Sequence, residues 1–449
     1  MATSEAPAQK SSSMSSESLV SEIIDNGTVS RQQVLVVALC MLLNILDGFD
    51  ITAMAVVASS VSAELGLLPD QLGWVFSFAL LGMVFGAMFL APLSDLFGRR
   101  RTIVVSVVLV GISISLTASA NTLGEFVVLR FLSGLGAGAI IACQAALAAE
   151  YSPEKYRALS VASVVAGYPL GAMLTSVAAS SIMPEYGWRG MFWFGGGVTL
   201  FFGVVAWLLL PESLKYLFER RPADALDRVN KILAKLEKPL IQVMPGVANA
   251  DVSPGLFQNM FRLLRRERIE LTLTLWLTFF LCFATLYFLM SWIPNLMEDA
   301  GFRREVAYQA FFLFNLGGVI GIFALGAMST RWKLTTLVSA MLICSAIAML
   351  IFAAVPDRLD SMLISIFVIG FLQQGGFTGL YSVAAKAYPT QIRSTGIGWA
   401  VGLGRSGAVA GPAVAGYLIA AGLDMSTNFY LFAVPMAIGG AIAYRLNIR

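Results

Sequence analysis

The sequence has no histidine among its 449 residues, and charged side chains make up only 13% of it. Histidine is the one side chain that titrates near neutral pH without perturbation, so any proton chemistry must use carboxylates or lysines with shifted pKa values. Soluble domains carry about 25% charged residues. A chain that is 57% hydrophobic also has more apolar surface than a soluble core can bury. These shortages exclude an ordinary soluble enzyme, a disordered chain and a nucleic-acid-binding protein.

Cysteine is scarce as well, and all four residues lie inside apolar runs. Cys40, Cys143, Cys282 and Cys344 are therefore expected to be small buried hydrophobic side chains, not a disulfide framework or a metal site. The sequence offers no nucleophile–base or metal-ligand pattern. It predicts neither a cofactor nor a metal, and it gives no sign of enzyme catalysis.

Long apolar runs alternate with short polar turns over most of the chain. A membrane-spanning helix needs roughly 20 apolar residues, which predicts an all-α integral membrane protein with twelve transmembrane helices. The predicted spans are 34–62, 71–94, 102–121, 124–149, 157–182, 188–210, 270–297, 306–328, 334–355, 361–387, 391–422 and 426–446.

One long polar connection divides the chain into segments. We predict a disordered cytoplasmic tail (1–32), an N-terminal six-helix half (33–211), a cytoplasmic linker loop (212–268) and a C-terminal six-helix half (269–449). Placing both termini in the cytoplasm puts 24 of the 30 Lys and Arg residues on that side and four outside. This asymmetry follows the positive-inside rule.

The chain repeats itself at an offset of 236 residues. The segment 150–157, Glu-Tyr-Ser-Pro-Glu-Lys-Tyr-Arg, corresponds to 386–393, Lys-Ala-Tyr-Pro-Thr-Gln-Ile-Arg, and Gly134 corresponds to Gly370. Two six-helix halves related by duplication follow. Transporters are commonly built from such repeats, with the substrate site between the halves.

Four charged residues lie well inside predicted spans, away from the span ends. Asp47 and Asp50 share one face of the first span because they are three residues apart. A carboxylate inside the membrane is energetically costly, so such residues usually have a function. Arg130 is expected to pair with Asp50 or Asp47, the alternative being that it snorkels to the outer headgroups. Arg405, near the midplane, is predicted to bind a substrate anion; a structural ion pair is the alternative.

Other residues in the spans suit hydrogen bonding to a polar substrate. Gln373, Gln374 and Tyr381 could donate hydrogen bonds to it, although interhelical polar packing explains the glutamines equally well. Phe49 and Trp399 could contact an aromatic ring, but a chain with 30 phenylalanines uses most aromatic side chains in its core or against lipid.

Two motifs resemble a known family. Residues 91–101 are similar to the loop 2–3 signature of the major facilitator superfamily, Gly-x-Leu-Ala-Asp-Arg-x-Gly-Arg-Arg, with Asp95, Gly98 and Arg99 matching. The second-half counterpart has Thr330 in place of the acid. Residues 47–50, Asp-Gly-Phe-Asp, resemble the Asp-Gly-x-Asp of the aromatic acid:proton symporter family. Further matches to that family are Arg130, Glu150, Tyr388, Pro389, Arg393, Gly404 and Arg405.

The resemblance implies specific roles. Asp47 and Asp50 would couple transport to protons, and Arg130 and Arg405 would handle acid and substrate charge. The inner gate would contain Asp95, Arg99 and Glu150. The charged residues Arg157, Lys386 and Arg393, from the two repeated segments, complete the predicted gate.

The expected function is proton-coupled import of a benzoate- or hydroxybenzoate-type carboxylate by alternating access. The alternatives are a muconate-like dicarboxylate as substrate, or drug or metabolite efflux by antiport on the same fold. The predicted partners are the aromatic acid, protons and the lipid bilayer, with no nucleic acid. We expect a monomeric, multi-pass protein of the inner membrane.

Overall fold

The computed structural model describes residues 24–25, 29–244, 263–265, 268–354, 359–388 and 393–446, without the side chains of 393 and 394. Every regular element in these ranges is helical. The main helices are α1 (Arg31–Leu65), α2 (Pro69–Phe85), α3 (Ser94–Phe97), α4 (Arg99–Thr117), α5 (Leu123–Glu150), α6 (Glu154–Leu209), α7 (Leu214–Arg220), α8 (Ala225–Lys235), α9 (Ile269–Asp299), α10 (Arg304–Met328), α11 (Leu334–Ala354), α12 (Leu359–Ala387), α13 (Arg393–Ala420) and α14 (Met425–Arg445). Ten stretches of the described chain are long and apolar enough to cross a membrane.

The first helix begins earlier than predicted. Ser30 caps it: the Gln33 N–H donates to the Ser30 hydroxyl, and the Gln33 side-chain oxygen accepts from the Ser30 N–H. Such a capping box satisfies backbone donors that the helix leaves unpaired. Residues 1–23 and 26–28 of the predicted tail lie outside the described residues. In the described part of this segment, Ile24 is buried and the Asp25 carboxylate lies 3.5 Å from Arg157.

The predicted spans 157–182 and 188–210 are joined by a single residue. Both belong to α6, which runs for 56 residues and departs from helical geometry at Gly187, with φ 62° and ψ −169°. Glycine adopts a positive φ without a Cβ penalty. The chain therefore changes direction there with almost no connecting loop.

The predicted span 71–94 is not one regular helix. After Phe85 the backbone forms a π-helical turn (Gly86–Leu90), a 3₁₀ turn (Ala91–Leu93) and the short α3. Gly86 lies against the Leu135 carbonyl of α5, where a Cβ would collide, and Pro92 lacks a backbone N–H donor. Close packing and proline together explain the irregular end.

The helices form two groups with corresponding packing. In residues 31–209, α1 packs along α6, α2 along α5 and α4 along both α5 and α6; in residues 269–445, α9 packs along α13, α10 along α12 and α11 along α14. The repeat-related Gly134 and Gly370 lie against the carbonyl oxygens of Ala79 and Phe314, on α2 and α10. Contacts between α2 and α13, α6 and α10, and α1 and α9 join the groups.

The structure also describes the cysteines and part of the predicted linker. Cys40, Cys143 and Cys282 are buried, but Cys344 is exposed, so the expectation that all four are buried is wrong for Cys344. Its position on α11 turns away from neighbouring helices. The linker contains α7 and α8, while residues 245–262 and 266–267 of it lie outside the described part of the chain.

Candidate functional site

The Asp-Gly-Phe-Asp segment lies where α1 and α6 approach most closely. A Cβ on Gly48 would collide with the Tyr168 carbonyl oxygen, so only glycine allows this separation. The Asn44 amide donates to the Val164 carbonyl (2.6 Å), and its oxygen accepts from Gln144 of α5 (2.9 Å). These contacts fix α1 against two neighbouring helices and set the direction of its acidic face.

Arg130 forms a buried ion pair with Asp50. Its guanidinium donates to the Asp50 carboxylate at 2.7 Å and to the Asp50 carbonyl at 3.1 Å. Both side chains are essentially inaccessible, and the guanidinium carbon lies 5.2 Å from the centre of the Phe192 ring. The predicted pairing is confirmed, and the snorkelling alternative is wrong because Arg130 reaches no surface.

Asp47 carries the unpaired carboxylate of the site. It is buried, and neither of its oxygens has a hydrogen-bond partner within the described residues. It interacts electrostatically with Asp50 on its own helix and with Arg405 on α13. The two helix groups therefore contribute opposite charges to one region between them.

Three tyrosines surround this pair of charges. Tyr168 of α6 and Tyr287 of α9 interact with each other and with both Asp47 and Arg405. Tyr381 of α12 interacts with Arg405 and Tyr287. In the described part of the chain the Arg405 guanidinium forms no hydrogen bond or ion pair, and its side chain is only partly buried. We call Asp47, Tyr168, Tyr287, Tyr381 and Arg405 the central cluster.

Aromatic rings continue the central cluster along α9 and α12. The ring centres of Phe283 and Phe377 are 4.6 Å apart, and Phe283 stacks on Tyr287 at 6.0 Å with an interplanar angle of 26°. Phe279 meets Tyr381 edge-on at 5.3 Å. Edge and face contacts of this kind suit an additional aromatic ring.

The other predicted ligand residues fall into two groups. Gln373 of α12 is fully buried, and neither of its amide atoms has a partner among the described residues; Gln374 packs against Gly318 of α10. Phe49 packs against Phe194 and Gly195 of α6, within its own helix group. Trp399 lies beside Trp276, with ring centres 6.3 Å apart.

Phe49 and Trp399 have different surroundings. The ring contact of Phe49 is with Phe194 of α6, and its role as a substrate contact stays a prediction. Trp399 precedes Arg405 by six residues, roughly 9 Å along the helix axis at 1.5 Å per residue. It lies towards one edge of the cluster, on the side where α13 begins.

The predicted gate residues lie near the ends of α5, α4 and α12. Arg99 pairs with Glu150, whose carboxylate also accepts from the Ser213 hydroxyl at 2.6 Å. Both members belong to the first helix group, so this pair does not cross between the groups. Asp95 is exposed, and its carbonyl accepts from Arg220 at 3.0 Å. Burial raises the pKa of Glu150, while Arg99 opposes that rise.

Three further residues were predicted to belong to the gate. Arg157 contacts Asp25, 3.5 Å away, and not the second helix group. Lys386 is exposed in the last turn of α12, and the side chain of Arg393 lies outside the described residues.

At the opposite end, side chains do connect the two groups. Ser59 of α1 donates to Glu298 of α9 at 2.8 Å, and the Trp74 indole of α2 donates to the Tyr417 hydroxyl of α13 at 2.9 Å. Ser77 donates to the Val409 carbonyl at 2.7 Å. These contacts close the molecule at the end where α1 stops and α2 begins.

Sequence reasoning missed Tyr287, Phe283 and Phe377 in the central region. They lie in α9 and α12 among many similar residues. Only the way the two helix groups pack against each other distinguishes them. It also missed Glu212, whose carboxylate accepts from the backbone N–H of Arg100 at 3.0 Å. The signal available in the sequence was an acid two residues after the predicted span 188–210. Among the described residues, no acidic or cysteine cluster could hold a metal ion.

The family model of the Major Facilitator Superfamily matches residues 40–358 and 275–448. The 4-hydroxybenzoate transporter PcaK of Pseudomonas putida is 31% identical over 93% of both chains. The gallate transporter of Pseudomonas putida is 30% identical over 95% of this chain and 94% of its own. The benzoate transport protein of Acinetobacter baylyi is 28% identical, with 97% and 94% covered.

Solved structures share the fold. The inward open conformation of the xylose transporter XylE from E. coli has a TM-score of 0.71 at 16% identity, covering 92% of this chain and 96% of that chain. The D-xylose-proton symporter structure has a TM-score of 0.69, also at 16% identity, covering 91% and 97%.

Proposed function

Because this chain belongs to the Major Facilitator Superfamily, among its aromatic acid transporters, we propose that it imports an aromatic carboxylate together with protons. It is a multi-pass transporter of the inner membrane and not an enzyme. The observation that carries the proposal is the central cluster. Within the described residues it presents a guanidinium, Arg405, and a carboxylate, Asp47, that form no ion pair or hydrogen bond, together with a row of aromatic rings.

The architecture we propose has twelve spans in two six-helix halves, 33–211 and 269–449, with both termini and the 212–268 linker in the cytoplasm. The excess of Lys and Arg on one side supports this orientation. The corresponding helix pairs of the two groups support the duplication. A site between the halves then lies near the middle of the membrane, as in other transporters built from repeats.

Substrate binding would use Arg405 as the ligand of the carboxylate. A guanidinium can bind a carboxylate through two parallel hydrogen bonds. Tyr287, Tyr381 and Phe283 would contact the ring, and the Gln373 amide, which lacks a partner among the described residues, would bond a ring hydroxyl. This arrangement favours an aromatic acid over a cation, which Arg405 would repel.

Coupling would follow from competition for Arg405. When Asp47 is ionised it attracts the guanidinium and repels a second carboxylate. When Asp47 is protonated, Arg405 is free for the substrate, so a proton and an aromatic anion bind cooperatively. Asp50 and Arg130 would hold the neighbouring charge fixed, because that pair is buried and hydrogen-bonded. The proton and the anion together carry no net charge across the membrane.

Alternating access would need contacts that break at each end in turn. The contacts of Ser59 with Glu298 and of Trp74 with Tyr417 close the outer end in the proposed orientation. The conformation described here is then closed outside and faces inward. Asp95, Arg99, Glu150, Arg157, Lys386 and Arg393 would regroup when the inner end closes, with helix N-termini as partners for the acids.

The test is uptake of labelled 4-hydroxybenzoate into proteoliposomes with an imposed pH gradient. We expect accumulation by the wild type, and none above equilibrium by Asp47→Asn or Asp50→Asn. Asp360→Asn, at an exposed acid in the first turn of α12, is the matched control. Competition by benzoate, muconate and a lipophilic cation identifies the substrate class. Gradient-driven accumulation by both span variants, or competition by the cation alone, would contradict the proposal.

A further inference from the structure

A cavity of about 390 Å³ lies between the start of α4, the end of α6 and the linker helix α8. It is far from the central cluster in sequence and uses none of its residues. Its charged lining consists of Arg100, Arg101, Arg228, Lys231, Lys235 and Glu212. Five cations against one carboxylate make it a strongly positive recess, which we call the basic recess.

Two of these helices, α4 and α8, supply the five cations of the basic recess. Arg100 and Arg101 lie in the first turn of α4, and the Glu212 carboxylate accepts from the Arg100 N–H at 3.0 Å and the Ser213 N–H at 2.9 Å. On α8, residues 228, 231 and 235 are spaced by three and four, so they share one face. The buried side of α8, with Val229 and Leu233, holds that face towards the recess.

The cations of the recess are only partly neutralised. Arg228 pairs with Asp224 at 2.7 Å, and Glu212 is occupied by backbone donors. Lys231 and Lys235 form no ion pair within the described residues. The Nε of Arg100 is buried without a hydrogen-bond partner in the same part of the chain, although its terminal nitrogen donates to the Trp207 carbonyl. A bound anion would satisfy these groups.

Exposed apolar side chains border the recess. Trp207, Leu208 and Leu209, at the end of α6, are 57%, 62% and 46% exposed. A tryptophan at the end of an apolar helix is typical of the membrane–water interface. The recess therefore opens at the level of the lipid headgroups, with apolar surface beside it where an acyl chain would run.

We propose that the basic recess binds the phosphate headgroup of an anionic phospholipid of the cytoplasmic leaflet. The site rests on the cytoplasmic orientation proposed above. Basic pockets between transmembrane helices on that side suit such headgroups, and each Lys or Arg near the surface adds to the attraction. A phosphodiester would accept from Arg100, Arg101 and the two α8 lysines, while its acyl chains contact Leu208 and Trp207.

The test measures lipid binding to the purified full chain by native mass spectrometry and thermal shift. Phosphatidylglycerol, phosphatidylcholine and inorganic phosphate are titrated separately. We expect selective binding of phosphatidylglycerol, weakened about 10- to 30-fold in Lys231→Gln/Lys235→Gln. Arg331→Gln/Arg445→Gln removes the same charge from exposed positions outside the recess and should bind like the wild type.

Three results would overturn the proposal. They are equal binding of phosphatidylglycerol and phosphatidylcholine, an unchanged affinity in the lysine variant, and saturable binding of inorganic phosphate that displaces the lipid, which would assign the recess to a soluble anion. Transport of aromatic acids is measured separately in phosphatidylcholine, where both double variants should match the wild type. The lipid-binding result can therefore be interpreted even if the proposed transport function is wrong.

Discussion

Arg130 and Asp50 form a buried ion pair, in which each charge stabilises the other in a low-dielectric interior. Removing one partner of a buried pair leaves an uncompensated charge, at a cost of about 3–5 kcal/mol. We expect Arg130→Ala to lower the melting temperature more than the double variant Asp50→Asn/Arg130→Ala does, since the latter leaves no charge behind. Thermal unfolding of the purified proteins checks this order. A double variant less stable than Arg130→Ala would mean that the pair acts through packing.

Arg405 differs from Arg130 because it has no ion-pair or hydrogen-bond partner among the described residues. Losing its guanidinium should therefore affect the ligand more than the fold. We expect Arg405→Ala to weaken binding of 4-hydroxybenzoate about 30- to 1000-fold. Calorimetry measures the affinity, and thermal unfolding measures the fold. An unchanged dissociation constant with a lowered melting temperature would make Arg405 structural.

The sequence predicts the depth of a charged residue in the membrane but not its direction around the helix axis. Counting residues along the predicted spans 34–62 and 124–149, at 1.5 Å per residue, places Asp50 and Arg130 at similar depths. The sequence therefore predicts that they can pair. Tyr287 and Phe283 could not be assigned in the same way. Their role depends on how α9 faces α1 and α6, and one aromatic residue among 30 phenylalanines and 12 tyrosines carries no such information.

At the scale of helices, Gly48 allows α1 and α6 to touch. An added methyl group would collide with the Tyr168 backbone, and overpacking typically costs about 1–3 kcal/mol. We expect Gly48→Ala to lower both the melting temperature and the transport rate, because Asp47 moves with α1. Gly197→Ala is the matched control: it also lies in a helix, but nothing is within 4 Å of its added Cβ. Equal behaviour of the two variants would refute the account of helix contact.

Apolar runs in the sequence predict where helices occur. They do not predict where a helix becomes irregular. The C-terminal end of α2 continues as π and 3₁₀ turns because Gly86 meets α5 and Pro92 lacks a backbone donor. Likewise the two spans of α6 meet at Gly187 with no loop between them. Each of these features depends on a neighbouring helix or on one backbone angle, and hydrophobic periodicity reports neither.

For the whole molecule, the Ser59–Glu298 contact offers a way to test movement of the halves. We expect Ser59→Cys/Glu298→Cys, bridged by a short bis-methanethiosulfonate that forms a disulfide with each thiol, to lose transport because this end of the molecule cannot open. A reducing agent should restore it. Ser59→Cys alone, treated with the same reagent, is the control. Full transport by the bridged double variant would show that this end stays closed throughout the cycle.

Transport by the whole molecule should also depend on external pH. In the proposed mechanism, protonation of Asp47 removes its competition for Arg405, so we expect uptake to rise as external pH falls from 8 to 5. Uptake at fixed membrane potential measures this. Since the chain has no histidine, the dependence should disappear in Asp47→Asn. A flat wild-type profile would indicate a uniporter or a sodium-coupled mechanism.

Proton movement that accompanies substrate is the most direct test of the account. Proteoliposomes that contain a pH-sensitive dye, with no gradient imposed, receive external 4-hydroxybenzoate at pH 7.5. We expect the lumen to acidify faster than in protein-free liposomes, because each anion enters with a proton, and we expect Arg405→Ala to behave like the protein-free control. Labelled substrate that enters through the wild-type protein without acidification beyond that control would contradict proton-coupled import.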